Sequence, residues 1–487
     1  MKIIAVDLGA SNGRCMLVHY DSGRFTLETV NRFMNEPKAV DGQYIWDTRR
    51  LFESIADGLA RCSGTEISSM GIDTWGVDFA LLDKAGQPVL PAYCYRSPHT
   101  DGMMEKAFAA MPKREIYART GIQFLRINTL YQLMAIAGHS PGELEKTDTL
   151  LMMPDYFAYL FSGEKTCEYS MASTSQMLDA VKRQWDDSLI EKAGLDPRIF
   201  LPVKMPGTVL GTLSCSVKER VGFDTRVITV AGHDTASAVA AIPCEGEDFA
   251  YISCGTWSLL GAESQNPVIN DITYQYNFTN EGGASGKIRL LKNIMGLWIL
   301  QQLKGEYDTA GQEADYPTLI SEAERETPFS AFVEPDDVRF LEPGPMTPRI
   351  REYLARTGQR TPSTRGGMVR CILESLAMKY RYEYERLRLA TGRSLATLHM
   401  IGGGIQNKLL CQFTADSTGA RVLAGPAEAT AMGNAIVQLA ALGEIASMEE
   451  GRAIVRNSIS CAEYLPKDRR AWDDAYGAFL RATGLGE

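Results

Sequence analysis

A turn of small residues near the N-terminus is the first feature of this sequence with evident chemistry. Residues 7–14 read DLGASNGR, in which an apolar run ends at Asp7 and a turn of small side chains follows. Such a turn exposes consecutive backbone N–H groups that can cradle phosphate oxygens, while the acid reaches a hydrated magnesium ion. Arg14 would add one charge-assisted contact. The alternative is a plain β-hairpin turn whose glycines permit positive φ angles, so the motif needs partners elsewhere.

A second chemistry-bearing segment, 231–237, reads AGHDTAS and separates an apolar strand pattern from a run of small residues. Taken alone, Asp234 is most simply a helix N-cap. At the end of a strand beside a cleft, the same carboxylate is where a general base for a sugar hydroxyl would have to lie. His233 is expected to position or hydrogen-bond a ligand, and a structural histidine is the alternative.

Three further segments suit ligand contacts. Residues 71–78 (GIDTWGVD) combine acids, an aromatic ring and glycine, which together suit a polyol. Residues 292–301 (KNIMGLWILQ) predict the start of an amphipathic helix that carries Asn293 and Gln301 two turns apart. Residues 401–406 (IGGGIQ) predict a strand-to-helix turn whose glycines let an adenine or ribose lie against the backbone. The alternatives are, respectively, a buried strand end, ordinary core packing and a glycine-rich turn without a ligand.

Other common nucleotide and hydrolase motifs fit poorly. Residues 9–13 (GASNG) match a nucleophile elbow at Ser11, but a strand pattern follows where an elbow needs a helix. Residues 282–287 (GGASGK) have three spacers where a P-loop has four, and Ile288 stands where Ser or Thr would bind magnesium. The sequence contains no GxGxxG, so the usual dinucleotide fingerprint is missing as well.

The elements that must position these residues are predicted to be α/β. Residues 2–8, 14–20 and 25–33 predict a β-meander, 46–62 a helix and 69–73 a strand, whereas about 100–200 predict a mainly helical insertion. The pattern restarts near residue 226, and the turns at Gly9 and Gly255 lie about half a chain length apart. Two like lobes, 1–240 and 241–487, are therefore predicted. In the second lobe a long helix over 365–389 precedes a strand at 398–401.

Composition excludes several classes of protein. The chain has 487 residues, of which 45% are hydrophobic and 23% charged, as in ordinary globular proteins. A net charge of -10 leaves no general cationic surface for nucleic acid. Ten cysteines without a CxxC motif indicate reduced thiols. No apolar stretch predicts a signal peptide or a membrane span, so a cytoplasmic protein without a membrane partner is expected.

In this order the motifs resemble those of the FGGY carbohydrate kinases, which belong to the superfamily of actin, hexokinase and the heat-shock chaperone ATPases. The resemblance runs from about residue 3 to about residue 445. It implies two actin-like, ribonuclease H-like ATPase lobes with an interlobe cleft, ATP and Mg²⁺ as cofactors, and a small ketose as substrate. Within the family, residues 72–79 (IDTWGVDF) and 292–301 favour L-rhamnulose, phosphorylated on its 1-hydroxyl in L-rhamnose catabolism. A kinase for fuculose, ribulose or xylulose is the nearer alternative, and an actin-like ATPase that is not a kinase the more distant one.

The resemblance also implies a role for each matching residue. Asp234 would be the general base, and Asp7 would organise magnesium-bound water. The implied ATP contacts are Ala10, Ser11, Asn12, Gly13, Arg14, Thr256, Gln301 and Gly403. The implied sugar contacts are Gly76, His233, Asp234, Thr235 and Asn293. The chain departs from the family at Asn12, where Ser is usual, and at Arg126, where Pro is common; Asn12 keeps a hydrogen-bond donor, and Arg126 is a candidate for an altered sugar preference.

Overall fold

The computed structural model describes residues 1–312 and 314–486. The strands are β1 Lys2–Leu8, β2 Asn12–Asp21, β3 Arg24–Met34, β4 Lys38–Val40, β5 Gln43–Ile45, β6 Ser69–Thr74, β7 Phe79–Leu82, β8 Thr149–Met152, β9 Leu178–Asp179, β10 Gln184–Trp185, β11 Val209–Thr212, β12 Arg226–Ile228, β13 Phe249–Cys254, β14 Trp257–Ser264, β15 Thr279–Gly282, β16 Ile288–Met295, β17 Thr397–Ile401, β18 Arg421–Ala424 and β19 Ala462–Tyr464. The α-helices are α1 Thr48–Ala60, α2 Met103–Ala110, α3 Lys113–Thr120, α4 Thr129–His139, α5 Pro141–Glu145, α6 Met153–Ser162, α7 Tyr169–Ser173, α8 Asp187–Lys192, α9 Cys215–Val221, α10 Asp234–Ala240, α11 Asp271–Gln275, α12 Trp298–Thr309, α13 Tyr316–Glu324, α14 Met346–Arg356, α15 Arg365–Thr391, α16 Lys408–Thr418, α17 Ala429–Leu442, α18 Met448–Ser458 and α19 Arg469–Thr483.

The chain forms two compact units, and neither is a single continuous segment. The first contains Met1–Pro243, Glu263–Leu290 and Glu428–Ile459. The second contains Cys244–Ala262, Leu291–Ala427 and Ser460–Glu487. Strand β15 and the first three residues of β16 therefore belong to the first unit, as do helices α17 and α18.

The first unit is built on a sheet with the strand order β11-β12-β6-β1-β2-β3. β1 pairs antiparallel with β2 and parallel with β6, and β6 pairs parallel with β12. Consecutive residues of β1 from Ile3 to Leu8 are buried, as expected for a central strand that is covered on both faces. The carboxyl ends of β1 and β6 therefore lie side by side, with Asp7 opposite Asp73.

The second unit repeats this topology. β14 pairs antiparallel with β13, β13 and β18 flank β17 in parallel, and β19 closes the edge antiparallel to β18. The pairing of β2, β1, β6, β12 and β11 in the first unit follows the same sequence of orientations. The repeat predicted from the turns at Gly9 and Gly255 is thus confirmed, and so is the two-domain actin-like α/β fold.

Residues 100–200, predicted to form a mainly helical insertion, contain helices α2 to α8. Many of their buried residues, among them Tyr117, Tyr131 and Leu133, pack into an apolar cluster with Phe79 and Leu81 of β7. No helix in residues 1–312 and 314–486 is long and apolar enough to cross a membrane.

The predicted helix start at 292–301 is wrong. Residues 292–295 belong to strand β16, and α12 begins only at Trp298. Gly296 lies between the strand and the helix and packs closely on β14, because a Cβ there would lie 2.6 Å from Ser258 Oγ and 2.7 Å from Ser258 N. The helical spacing of the apolar residues was misleading since both faces of β16 are largely buried, which removes the strand alternation. Asn293 and Gln301 therefore do not share a helix face.

A glycine in α17 sets how closely this helix packs on α10, the helix that begins with Asp234. A Cβ at Gly433 would lie 1.7 Å from the carbonyl oxygen of Ser237, so Gly433→Ala must push the two helices apart. We expect it to lower the free energy of unfolding by about 1–3 kcal/mol or more. Gly305, in α12, is the matched control because a Cβ there meets nothing within 4 Å, and Gly305→Ala should raise stability by about 0.5–1 kcal/mol. Thermal midpoints measure both effects, and a Gly433→Ala protein as stable as the wild type would contradict the first.

Candidate active site

Three aspartates meet at the carboxyl ends of the central strands of the first unit. Asp7 and Asp73 are the penultimate residues of β1 and β6, while Asp234 follows β12 and is the first residue of α10. The loop before Asp234 is joined to β6 by a hydrogen bond of 2.8 Å from Thr74 N to Gly232 O. Burial raises the pKa of Asp73 well above its usual range, and the negative charges of Asp7 and Asp234 add to this. The site thus concentrates negative charge that a cation would relieve.

The predicted phosphate turn occupies residues 9–11, between β1 and β2. Asn35 braces it: its backbone N–H donates to Ser11 O (3.0 Å), and its side-chain amide donates to Gly9 O (2.8 Å). Ala10 and Ser11 are half-buried and Asn12 is exposed. Packing alone requires glycine at position 13, because a Cβ there would lie 2.3 Å from the Phe33 ring.

Ser11 does not form a nucleophile elbow. The residue lies in the turn of an antiparallel hairpin, and β2 follows it where an elbow requires a helix. The geometry thus agrees with the poor fit of this motif to a nucleophile elbow.

Arg14 is held at the same sheet edge by two carboxylates. Its Nη2 lies 2.5 Å from Asp7 Oδ2, and its Nη1 forms an ion pair with Glu428. Burial opposes the guanidinium charge, but the charges of Asp7 and Glu428 outweigh it and raise the pKa of Arg14. The side chain retains 18% exposure, so a phosphate can still approach it.

Asp234 is the first residue of α10. Its Oδ1 accepts hydrogen bonds from Thr235 N (2.6 Å) and Thr235 Oγ1 (3.2 Å), so Thr235 holds the carboxylate in place. The side chain is 28% exposed. Burial raises the pKa of Asp234; nearby His233 opposes the shift, and the charge of Asp7 adds to it. A carboxylate with a raised pKa and an open side is suited to accept a proton.

His233 lies against Asp234 on one side and a buried ion pair on the other. Its Nε2 is 3.5 Å from Asp234 Oδ1, whereas its Nδ1 is 3.2 Å from Glu281 Oε2 and 3.1 Å from Arg289 Nη2. Gly76 makes room for the ring, since a Cβ at Gly76 would lie 3.3 Å from His233 Nε2. The structure therefore brings together Gly76, His233, Asp234 and Thr235.

Sequence reasoning missed several residues that shape this site. Asn434 of α17 donates to Asp73 Oδ2 at 2.6 Å, and Glu168 accepts from Gly232 N at 3.0 Å. Ser170 Oγ, itself bonded to Glu168 Oε2 at 2.6 Å, accepts from His233 N at 3.1 Å. No motif marked these residues or the Glu281–Arg289 pair, because each lies far along the chain from the residue that it contacts.

Asp78 does not serve the predicted polyol site directly. Its Oδ2 accepts from Trp46 Nε1 (2.6 Å), Trp75 Nε1 (2.8 Å) and Tyr95 N (3.1 Å), and its Oδ1 accepts from Gln132 Nε2 (2.9 Å). The residue is fully buried, and burial raises its pKa to about 6. Asp78 is thus a structural hub that fixes both tryptophans.

The second unit holds the other implied nucleotide contacts. Thr256 Oγ1 donates to Gln301 Oε1 at 3.4 Å, so the structure brings these two residues together. Gly403 and Gly404 differ in the space around them. A Cβ at Gly404 would lie 2.3 Å from Cys254 Sγ, whereas a Cβ at Gly403 would meet nothing within 4 Å. Packing explains Gly404, and the open space at Gly403 is compatible with a ligand. Asn293 is half-buried in β16.

The chain belongs to the FGGY family of carbohydrate kinases and is an ATP-dependent sugar kinase. The model of the family's N-terminal domain matches residues 2–241, and that of its C-terminal domain matches residues 250–442.

Its relatives include proteins named rhamnulokinase. One from Bacteroides thetaiotaomicron is 44% identical over 478 residues, with 98% of each chain covered, and one from Halalkalibacterium halodurans is 41% identical, with 96% of this chain and 99% of the relative covered. The fold is also that of a gluconate kinase from Lactobacillus acidophilus (TM-score 0.80, 14% identity, 100% of this chain and 99% of that one). A Plasmodium falciparum glycerol kinase solved with ADP has a TM-score of 0.78 at 16% identity, with 99% and 98% covered.

Proposed function

We propose that this kinase transfers the γ-phosphoryl group of ATP to the 1-hydroxyl of L-rhamnulose, giving L-rhamnulose 1-phosphate in L-rhamnose catabolism. The observation that carries the chemistry is the Asp234 carboxylate, which is held on one oxygen, partly exposed and adjacent to His233. The substrate is taken from relatives of 40–44% identity over nearly the whole chain.

In this mechanism Asp234 is the general base. Thr235 occupies Oδ1, which leaves Oδ2 to accept the proton as the sugar oxygen attacks the γ-phosphorus in line. His233, Thr235, Gly76 and Asn293 would orient the sugar, because a hydroxyl must be aligned with the phosphorus before it attacks.

The phosphates would lie over the turn formed by Ala10, Ser11, Asn12 and Gly13, with Arg14 providing a charge-assisted contact. In the second unit, Thr256, Gln301 and Gly403 would contact the nucleotide. Each unit thus carries part of the machinery.

Magnesium fits the donor set of the first unit. Mg²⁺ prefers carboxylate oxygens and water and usually binds through one or two carboxylates together with substrate phosphates. Burial raises the pKa of Asp73, and the negative charges of Asp7 and Asp234 add to the rise, so a divalent cation at this place would offset crowded negative charge. When bound, the ion would neutralise charge on the transferring phosphoryl group. Asp7 would hold it through water.

A ketose panel tests the substrate. ADP release should be fastest with L-rhamnulose and slower with fuculose, ribulose and xylulose, and the product should carry the phosphate on its 1-oxygen by ³¹P–¹H correlation. Preference for another ketose would refute the substrate assignment alone. ADP release that does not depend on any sugar would refute the assignment of the site as a sugar-phosphorylating one. No specific feature favours that second outcome, because Asp234 and His233 both suit a hydroxyl substrate.

A further inference from the structure

His233 is in contact with a buried ion pair whose members come from the β15–β16 hairpin. Arg289 Nη2 lies 3.1 Å from Glu281 Oε2 and also 3.1 Å from His233 Nδ1, while Glu281 Oε2 lies 3.2 Å from the same ring nitrogen. Arg289 has no exposed surface, and Glu281 is 5% exposed. Two groups of opposite hydrogen-bonding character therefore face one atom of the histidine.

The chemistry of arginine decides between them. A guanidinium donates only and stays protonated, so Nδ1 can accept a hydrogen bond from Arg289 only when it carries no proton. Glu281 would favour the opposite arrangement, but its Oε2 is already satisfied by Arg289 Nη2, whereas a proton on Nδ1 would face a guanidinium N–H that cannot accept it. At the other end of the ring, Nε2 lies 3.5 Å from Asp234 Oδ1, where a proton on the ring is favoured over a lone pair.

We propose that Arg289, with Glu281 as its counter-ion, is a positioning residue that holds His233 in the tautomer with its proton on Nε2. The Nε2–H group then donates towards a sugar oxygen beside the general base. The donation to a sugar oxygen rests on the proposed function, whereas the tautomer of His233 exists without substrate.

Hydrogen bonds and packing of the β15–β16 hairpin fix the orientation of the Arg289 guanidinium. Arg289 Nε donates to Gly282 O at 2.9 Å, and Gly282 N donates to Ser173 Oγ at 2.8 Å. A Cβ at Gly282 would lie 2.6 Å from the Tyr169 ring, so the strand packs closely on α7. A buried ion pair contributes little net stability compared with apolar residues of the same volume, which favours a role in orientation.

The tautomer is measurable directly. The chain has five histidines, so ¹⁵N-histidine labelling gives a long-range ¹H–¹⁵N spectrum that can be assigned, with His233→Asn identifying the His233 signals. At neutral pH, without substrate, the wild type should show the Nε2–H tautomer. In Arg289→Met the proton should move to Nδ1 and face Glu281, whereas in Glu281→Gln it should stay on Nε2.

The matched control is Arg370→Met, which breaks a buried arginine–glutamate pair of the second unit (Arg370 Nε to Glu374 Oε1, 2.7 Å). It should leave the His233 signals unchanged. In turnover assays Arg289→Met should lower kcat by up to about 100-fold and raise the ketose KM, with the ATP KM unchanged.

A wild-type His233 with its proton on Nδ1, or on both nitrogens, would overturn the inference whether or not any variant folds. Equal His233 spectra for Arg289→Met and the wild type would do the same. Because the spectra need no substrate, failure of the ketose panel would leave this result standing, and the two failures are distinguishable.

Discussion

Asp234→Asn is expected to lower kcat by about 10²–10⁴-fold, the usual cost of losing a general base. The amide cannot take the proton of the sugar hydroxyl, yet its oxygen can still accept from Thr235 N, where the wild-type distance is 2.6 Å. The start of α10 and the phosphate turn should therefore stay intact. A coupled assay of ADP release measures the loss of turnover, and calorimetry of ATP binding measures whether the phosphate turn is intact.

Asp187→Asn is the matched control for Asp234→Asn, because Asp187 is likewise the first residue of a helix and is exposed. It should keep wild-type turnover. If Asp234→Asn also retained wild-type turnover while folding normally, Asp234 would not be the base.

The acid side of the pH profile gives a second readout of Asp234. The base works only when ionised, and burial raises its pKa above the usual value. Activity should therefore fall, as pH is lowered, at a higher pH than an ordinary aspartate near about 3.9 would give. The residual activity of Asp234→Asn should lack this acid limb; an identical limb in both proteins would assign it to another group.

Asp7→Asn is expected to raise the Mg²⁺ concentration for half-maximal activity by about 10–100-fold, the usual cost of removing a group that holds a metal through its outer shell. The substitution removes the negative charge of Asp7 that would attract the metal ion. It also removes the 2.5 Å ion pair with Arg14, which leaves more of the positive charge of Arg14 for phosphate. Titrating Mg²⁺ at fixed ATP measures the shift.

The control for Asp7→Asn is Asp83→Asn, which removes a half-buried carboxylate that caps a turn by accepting hydrogen bonds from Ala85 N and Gln87 N. Its Mg²⁺ dependence should match that of the wild type. An unchanged Mg²⁺ requirement in folded Asp7→Asn would show that Asp7 has no role in holding the metal.

Much of the fold could be predicted because its signals are local. The strand at 2–8 and the long helix, predicted over 365–389 and observed at Arg365–Thr391, follow from apolar runs and periodicity. The repeated strand-turn at Gly9 and Gly255 is visible for the same reason. The helix predicted for residues 292–295 was wrong because burial on both faces of a strand removes the alternation of apolar and polar residues that distinguishes a strand from a helix.

The order of residues along the chain was enough to locate Asp7, Asp234 and the small residues of the phosphate turn next to strands. Their contact partners became visible only in the folded chain, because contacts between distant segments leave no periodic signal. The pairing of Arg14 with Glu428, of Asp73 with Asn434, and of His233 with Arg289 depends on how α17 and the β15–β16 hairpin pack within the first unit. The raised pKa values of Asp73 and Asp234 likewise arise from burial and crowded charge, which exist only once the chain has folded.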